Sequence, residues 1–464
     1  METTDPPAVL LCREVRDRKG RVYRVGESAV DLMGRGRAWM VVLPWVGVTG
    51  VSCAAYAFIG AYGGPGASPP WGGGLSWLAG LWVFCGAAAA FPAGCLRESG
   101  RLPARTATVA GAFGTLAGCL ALALAPEAPA LRWGSAAVGG LGAGLVHATC
   151  LTLPGKWYPE RRGGPTGFVA SGLAFGAVPF LPVLRSWSDA GDRPLPAAVL
   201  GAAACVPVIV AGLLLRDPPG NWWPPQPDPL RVPADPVARR ARDRNPPAVR
   251  QYGLEDAART PVLWMTGLCL LLAVCVTVLG IVGLAPFGRA AALGDGTVSA
   301  AVTLTVAGGA GAGAAGALSD RLGRRVTLIA ACLVLGTAQF GVLVAGRTGS
   351  APLFLGCATA VGLGGGAVLP LVAAMSADHF GENRSASTYG LLASSLTLPL
   401  AVAALAGPVT GAGPAGAPTP HRVFALAGCV SLACAVLALF LKAPGRPSAR
   451  RIVPNPHPLG EEMA

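Results

Sequence analysis

The chain has 464 residues, 53% of them hydrophobic and 13% charged, with a mean hydropathy of +0.54. A soluble domain carries charge on about a quarter of its residues, so this composition excludes an ordinary water-facing globule and turns most of the outer surface toward lipid. The net charge of +13 is no nucleic-acid footprint either, because its placement follows membrane topology.

In chain order, residues 1–36 form a tail with Arg13, Arg16, Arg18, Lys19, Arg21 and Arg24 among several acids. No short apolar core with a cleavage site follows, which predicts a retained cytosolic tail rather than a signal peptide. Apolar windows of about 20 residues, enough to cross about 30 Å of hydrocarbon, then recur at 39–62, 75–95, 105–126, 132–154, 165–187 and 195–215. Residues 216–259 are rich in Pro and Arg without an apolar period and read as an extended, solvated linker. Six more windows follow at 260–288, 297–318, 326–346, 351–375, 387–408 and 421–441, and then a tail at 442–464. Alternation of apolar and polar residues is scarce, so helices rather than a β-barrel satisfy the backbone in lipid.

The expectation is an all-α membrane protein: twelve transmembrane helices in two six-helix bundles, 37–215 and 260–441, with both termini cytoplasmic. That topology puts 30 of the 36 Lys and Arg on the cytoplasmic side, as the positive-inside rule requires. The thirteen cysteines lie almost wholly in the spans without a C-x-x-C pair and read as packing residues, neither a disulfide framework nor a metal site. Heavy use of Ala, Gly, Pro and Arg with three lysines points to a GC-rich bacterial genome, and hence to the inner (plasma) membrane.

The halves echo each other. "GCLRESGRLPAR" (94–105) follows the second span and "GALSDRLGRR" the eighth; "GKWYPERRGG" (155–164) follows the fourth and "ADHFGENRSA" (377–386) the tenth, each pair about 222 residues apart. A repeat of this kind, split by a linker, is the layout of a transporter whose bundles rock about a central site. The stretch after the eighth span also resembles the signature loop of the major facilitator superfamily, matched by Gly316, Asp320, Arg321, Gly323, Arg324 and Arg325. "KWYPERRGGPTGFVASG", with Lys156, Trp157 and Arg162, "RTPVLWMTGLCLLL" with "LAPFGRAA", "ADHFGENRSASTYGLL" and "DPPGNWWPP" resemble the oxalate/formate antiporter and monocarboxylate-porter family. The resemblance implies the major facilitator fold and a gate role for the signature loop. Physically, Gly316 permits close helix approach, Gly323 a tight turn, and Asp320 accepts from a helix N-terminus or an arginine. The copy at 94–105 is degenerate: Gly94 is kept, Glu98 replaces the aspartate, and Arg101 and Arg105 are out of register, so a lopsided gate is expected.

The spans hold almost no ionisable groups. The resemblance implies that relatives hold a dicarboxylate with an arginine in the eighth span and a lysine in the eleventh; the matching positions are Ala312 and Leu396. A dianion without a buried positive partner loses its main source of affinity, so oxalate is not expected as a substrate. His147, inside the fourth span, is either a neutral histidine bonded to a neighbour or a substrate contact and proton-coupling group. Tyr56, Thr303, Thr305, Ser394 and Ser395 offer hydroxyls to a ligand or to their own helix backbones, and Gly365, where relatives place an aromatic, suggests a roomier passage. "AGGAGAGAAGAL" (307–318) is no nucleotide loop, for neither a preceding strand nor a following Lys-Ser/Thr is present; its small residues suit sliding helices.

No nucleophile with its base, paired carboxylates, Walker loop or selectivity filter is visible, which argues against an enzyme, an ATP-driven pump or a channel. The expected function is secondary active or facilitative transport of a small organic solute, an organic acid or weakly polar metabolite. The expected partners are that solute, the lipid bilayer and a proton or counter-substrate, with the chain a monomer that needs no cofactor. A non-transporting membrane sensor and a drug or metabolite exporter are the alternatives.

Overall fold

The computed structural model describes residues 13–16, 21–62, 74–124, 128–181, 194–226, 229, 236–248, 250–397 and 420–445. Two short strands, β1 (Arg13–Arg16) and β2 (Val22–Val25), pair antiparallel ahead of a helix, α1 (Ala29–Met33). The first half then runs through α2 (Trp39–Tyr62), α3 (Gly74–Glu98), α4 (Ala104–Leu124), α5 (Pro129–Trp157), α6 (Gly163–Ala177) and α7 (Pro194–Leu214). Two short helices, α8 (Pro236–Arg244) and α9 (Leu254–Ala258), lie between the halves. The second half holds α10 (Pro261–Ala290), α11 (Asp295–Gly308), α12 (Ala312–Leu322), α13 (Arg324–Thr348), α14 (Ala351–Phe380), α15 (Ser385–Ser394) and α16 (Pro420–Ala438).

Among the described residues nine helices are long and apolar enough to cross a bilayer, so this is a multi-pass membrane protein. The other three expected spans correspond to α4, α6 and α15, and the far ends of two of them, at 182–187 and 398–408, fall outside the described residues. The eighth span is one helix in two pieces, α11 and α12, joined by a tighter turn at Gly309–Gly311, where a run of small residues resists the tightening least. Large apolar side chains such as Phe113, Val199, Val206, Val210 and Leu426 stand exposed on the outside. In water such a surface would aggregate; in lipid it costs nothing.

The first half buries Val48, Phe58, Trp82, Val146, Leu151 and Val208, and its core also takes in Ala312, Ala373 and Tyr389 from the second half. The halves therefore share packed seams, and small residues set them. In the seam of α3 with α15, a methyl on Gly94 would overlap the Ala386 carbonyl, and one on Gly390 the Ala90 carbonyl. In the seam of α6 with α12, a methyl on Gly316 would overlap the Gly163 carbonyl, and one on Gly167 the Ala312 carbonyl. The seams correspond under the offset of about 222 residues, Gly94 with Gly316 and Ala90 with Ala312.

The segment between the halves is not the extended, solvated linker its composition suggests. Trp222, Trp223, Ala248, Tyr252 and Ala257 are buried. Trp222 meets Trp157 edge-on with ring centroids 5.0 Å apart, and its indole N–H donates to the Glu27 carbonyl at 3.0 Å. The N-terminal tail folds here too: the Arg24 N–H donates to the Asn221 carbonyl at 2.8 Å, and the Trp223 N–H returns to the Arg24 carbonyl at 3.0 Å. Large aromatic faces gain more by burial than proline-rich backbone loses. Tail and linker together cap one end of the bundle, called the linker end below.

Candidate functional site

The charged residues concentrate at the linker end. Gly323 adopts φ +101°, a conformation that side-chain-bearing residues rarely take, and this turns the chain sharply from α12 into α13. The turn brings Arg324 back over Asp320, Nη1 to Oδ1 2.6 Å. Asp320 also crosses to the other half, where it accepts the Gly163 N–H at 2.9 Å and the Gly164 N–H at 2.7 Å. These are unsatisfied donors at the start of α6, whose own preceding residue, Arg162, makes no side-chain cap. A carboxylate there meets both free amides and the positive end of the helix dipole.

Around this cap lies a buried chain of ion pairs. Asp378, at the end of α14, accepts Arg162 Nη1 at 2.5 Å and Arg324 Nε at 3.0 Å. Arg162 also pairs with Glu382. Arg162 is 1% exposed, Asp378 5% and Glu382 4%, so each needs its partners: an isolated buried charge costs several kcal/mol, on the order of 3–5 for a broken pair. Asn245, from the linker, closes the turn. Its amide donates to the Ser319 and Asp320 carbonyls at 2.9 and 3.0 Å, and its oxygen accepts the Arg324 N–H at 2.9 Å. Arg321 is exposed, and Arg325 donates to the Leu439 carbonyl within its own half.

The copy in the first half retains half of this arrangement. Glu98, offset from Asp320 by about 222 residues, accepts the Ser387 N–H at 2.8 Å at the start of α15. It is therefore the counterpart cap, with one bond where Asp320 makes two, and its other oxygen is buried without a partner. Arg101 and Arg105 are exposed. The buried cation is instead Arg97, which turns into its own half: it donates to Thr152 Oγ1 at 2.8 Å and to Asp217 at 2.7 Å, and Asp217 also takes the Ala104 N–H at 2.6 Å. Burial works against the Asp217 charge, yet Arg97 and Lys156 outweigh it and hold the carboxyl below its usual range. A cavity of about 340 Å³ lies beside them, lined by Arg97, Glu98, Lys156, Asp217, Asn221 and Glu382. Trp157 is buried and donates to the Arg216 carbonyl at 2.9 Å.

The residues read as pathway candidates divide in two. Thr303 and Thr305 bond back to Ser299 and Ala301 in their own helix, and Ser395 to Leu392, so these hydroxyls are spent locally. Ser394 crosses to the Ala87 carbonyl of α3 at 3.0 Å. Ala312 is 1% exposed and pressed against Gly167, and Leu396 is 9% exposed, so neither position has open space before it. Gly365 gives no roomier passage: the Thr277 side chain fills the place its methyl would occupy. Tyr56 is half-buried. His147 is half-buried with Nε2 shielded and without a hydrogen-bond partner; the same holds for Thr149 Oγ1, for Trp45 Nε1 and Thr49 Oγ1 in α2, and for the Tyr389 hydroxyl in α15.

Sequence reasoning passed over Arg97, Asp217, Asp378, Glu382 and Asn245. Two had a visible signal: Asp378 and Glu382 sit inside the repeated stretch after the tenth span, whose counterpart after the fourth span carries Arg161 and Arg162.

The family model of the Major Facilitator Superfamily matches residues 45–404 and 315–461. The chain belongs to the major facilitator superfamily. An "Oxalate:formate antiporter" of Oxalobacter formigenes is 30% identical over 100 residues, 22% of this chain and 22% of that protein. An "Uncharacterized MFS-type transporter YhjX" of Escherichia coli (strain K12) is 23% identical over 266 residues, 56% of this chain and 61% of that one, so the matches span less than two thirds of either relative. Among solved structures, the proton:xylose symporter XylE bound to 6-bromo-6-deoxy-D-glucose superposes with a TM-score of 0.62 at 12% identity, covering 87% of this chain and 96% of that one. The human organic anion transporter MFSD10 (TETRAN) gives 0.61 at 14% identity, covering 87% and 100%. At these identities the likeness establishes the shared superfamily fold. It agrees with two six-helix halves, in which the far ends of two spans lie outside the described residues.

Proposed function

We propose that this facilitator-superfamily chain moves a small organic solute by alternating access, with bundles 37–215 and 260–441 rocking about the seams and the linker end facing the cytoplasm. The observation that supports this is the set of charged contacts across the halves, which among the described residues gather at the linker end: Asp320 on α6, Glu98 on α15, and Arg162 on Asp378 and Glu382. These contacts hold the linker end shut and must part when it opens, which assigns Gly316, Asp320, Gly323 and Arg324 to the gate.

The solute is an organic acid or weakly polar metabolite, carried by secondary active or facilitative transport. Buried polar atoms without partners are rare in folded proteins; His147, Thr149, Trp45, Thr49 and Tyr389 supply donors and acceptors suited to a carboxyl or hydroxyl group. With Ala312 and Leu396 packed and neutral, a dianion finds no cation at either place, and oxalate is not carried. The test is counterflow in proteoliposomes against a panel of monocarboxylates, oxalate and hydroxylated neutral metabolites. Saturable exchange of a monoanion or neutral solute is expected; saturable oxalate uptake overturns the substrate reading, and no exchange of any panel member overturns transport. His147→Gln is expected to change the rate or its pH dependence, and a variant unchanged in both removes His147 from the pathway.

A further inference from the structure

The tail ahead of the first span does more than set topology. Arg21 lies just before β2, 5% exposed, and reaches across the linker end. Its Nη2 donates to Glu382 Oε2 at 2.7 Å and its Nη1 to the Ala248 carbonyl at 3.4 Å, while the guanidinium sits 4.9 Å from the Tyr23 ring centroid. The oxygen it holds is the one that Arg162 holds. Two cations, one from the α5–α6 loop and one from the N-terminal hairpin, thus converge on one carboxylate of the second half.

The hairpin itself is tied to the first half. β2 hydrogen-bonds to Asn221 and Trp223, Trp222 packs on Trp157 at the end of α5, and Arg216 donates to the Leu32 carbonyl at 3.2 Å. From this anchored side two arms cross to the loop after α14: Arg21 to Glu382, and Asn221 to Asn383, whose side chains pair at 2.8 Å. Tyr23, 1% exposed, fixes the strand from which Arg21 projects. When the linker ends separate, the hairpin leaves with the first half and Arg21 gives up Glu382.

We infer that the N-terminal hairpin is a working part of the gate, with Arg21 as its third cation, so that the tail sets how readily the linker end opens. Displacing the hairpin favours the state open to the cytoplasm. The inference rests on the alternating-access reading above. It goes beyond that reading because a gate built only from the α5–α6 and α12–α13 loops would leave the tail a passive anchor.

The test reads conformation rather than transport. Spin labels go on cysteines at Thr106 and Lys442, both exposed at the linker end of opposite halves, in a full chain whose thirteen native cysteines are replaced. Pulsed dipolar spectroscopy then gives the distance between the halves. Arg21→Ala is expected to raise the wide-distance population about tenfold, the effect of one charge-assisted hydrogen bond, and Arg21→Lys to restore most of the narrow population. Arg21→Gln keeps much of the side-chain volume and replaces the alanine variant if that fails to fold. Asp378→Asn is the independent arm. If it widens the distribution while Arg21→Ala leaves it as in wild type, the hairpin is a passive anchor and the inference falls while the gate stands. If neither variant widens it, the gate reading falls as well.

Discussion

Asp320→Asn is the sharpest perturbation of the gate. The carboxylate is 18% exposed on its side chain and makes three contacts: two from backbone amides of the opposite half and one from Arg324. An amide group keeps a single acceptor oxygen and turns its own N–H bonds toward the second backbone donor. One charged hydrogen bond is lost, worth about 1.5–3 kcal/mol, and the other contacts weaken. Discounting for partial exposure leaves about 2 kcal/mol, roughly 30-fold in an equilibrium constant. Because both amides belong to α6 in the other half, the loss falls on the closed linker end alone. With a single cysteine at buried Ala312 in a cysteine-free chain, maleimide labelling from the cytoplasmic side should accelerate by a comparable factor in inverted vesicles. Solute counterflow should fall at unchanged membrane abundance. Labelling and counterflow both at wild-type rates, at equal expression, would refute the assignment of Asp320 to the gate.

Glu98→Gln keeps the one acceptor that the Ser387 N–H uses and removes only its charge, so a smaller shift, about 1 kcal/mol, is expected in the same labelling assay; an effect exceeding that of Asp320→Asn would reverse the proposed asymmetry. Gly390→Val places side-chain atoms on the Ala90 carbonyl, and overpacking of this kind costs about 1–3 kcal/mol. The seam of α3 with α15 should then stay ajar, measured as slower exchange with retained expression. Asp217 is an expected acid-sensitive group outside the spans. Its carboxyl is held low in the folded chain, so its stabilisation is fully present above the ordinary carboxylate pKa of about 4 and is lost as pH falls through the lowered value. The melting temperature in detergent should drop on acidification in that range, and Asp217→Asn should flatten the drop while lowering stability at neutral pH.

Most of the architecture was legible because lipid leaves so few choices. A helix that must hide every backbone polar group writes itself as an apolar window, and the loop repeat at an offset of about 222 residues anticipated which carboxylates would be equivalent. Glu98 and Asp320 occupy those places and each caps a helix of the other half. The linker was misread for a physical reason. Proline and arginine dominate 216–259 by number, while its folding is decided by Trp222, Trp223 and Tyr252, three aromatics that composition outvotes. Gly365 was misjudged because a missing side chain says nothing about which neighbour fills the gap; that neighbour, Thr277, lies nearly ninety positions away. Arg97 sits in the same final helical turn as Glu98 yet points inward, and adjacency in sequence does not reveal on which side of a helix its anchor waits.

Arg97, Asp217 and the Ala104 amide satisfy one another beside a single bundle, and Arg324 keeps Asp320 and Asp378 within the second half, while Arg162 finds its carboxylates, Asp378 and Glu382, only by reaching between bundles. Hydration during the inward swing is therefore uneven. Arg97 and Arg324 move with their charges still quenched, and solvent must be found mainly at the wall where Arg162 parts from Asp378 and Glu382. Water admitted at that wall is the natural first step of unlocking, and the conformational barrier should follow how easily that one surface is wetted.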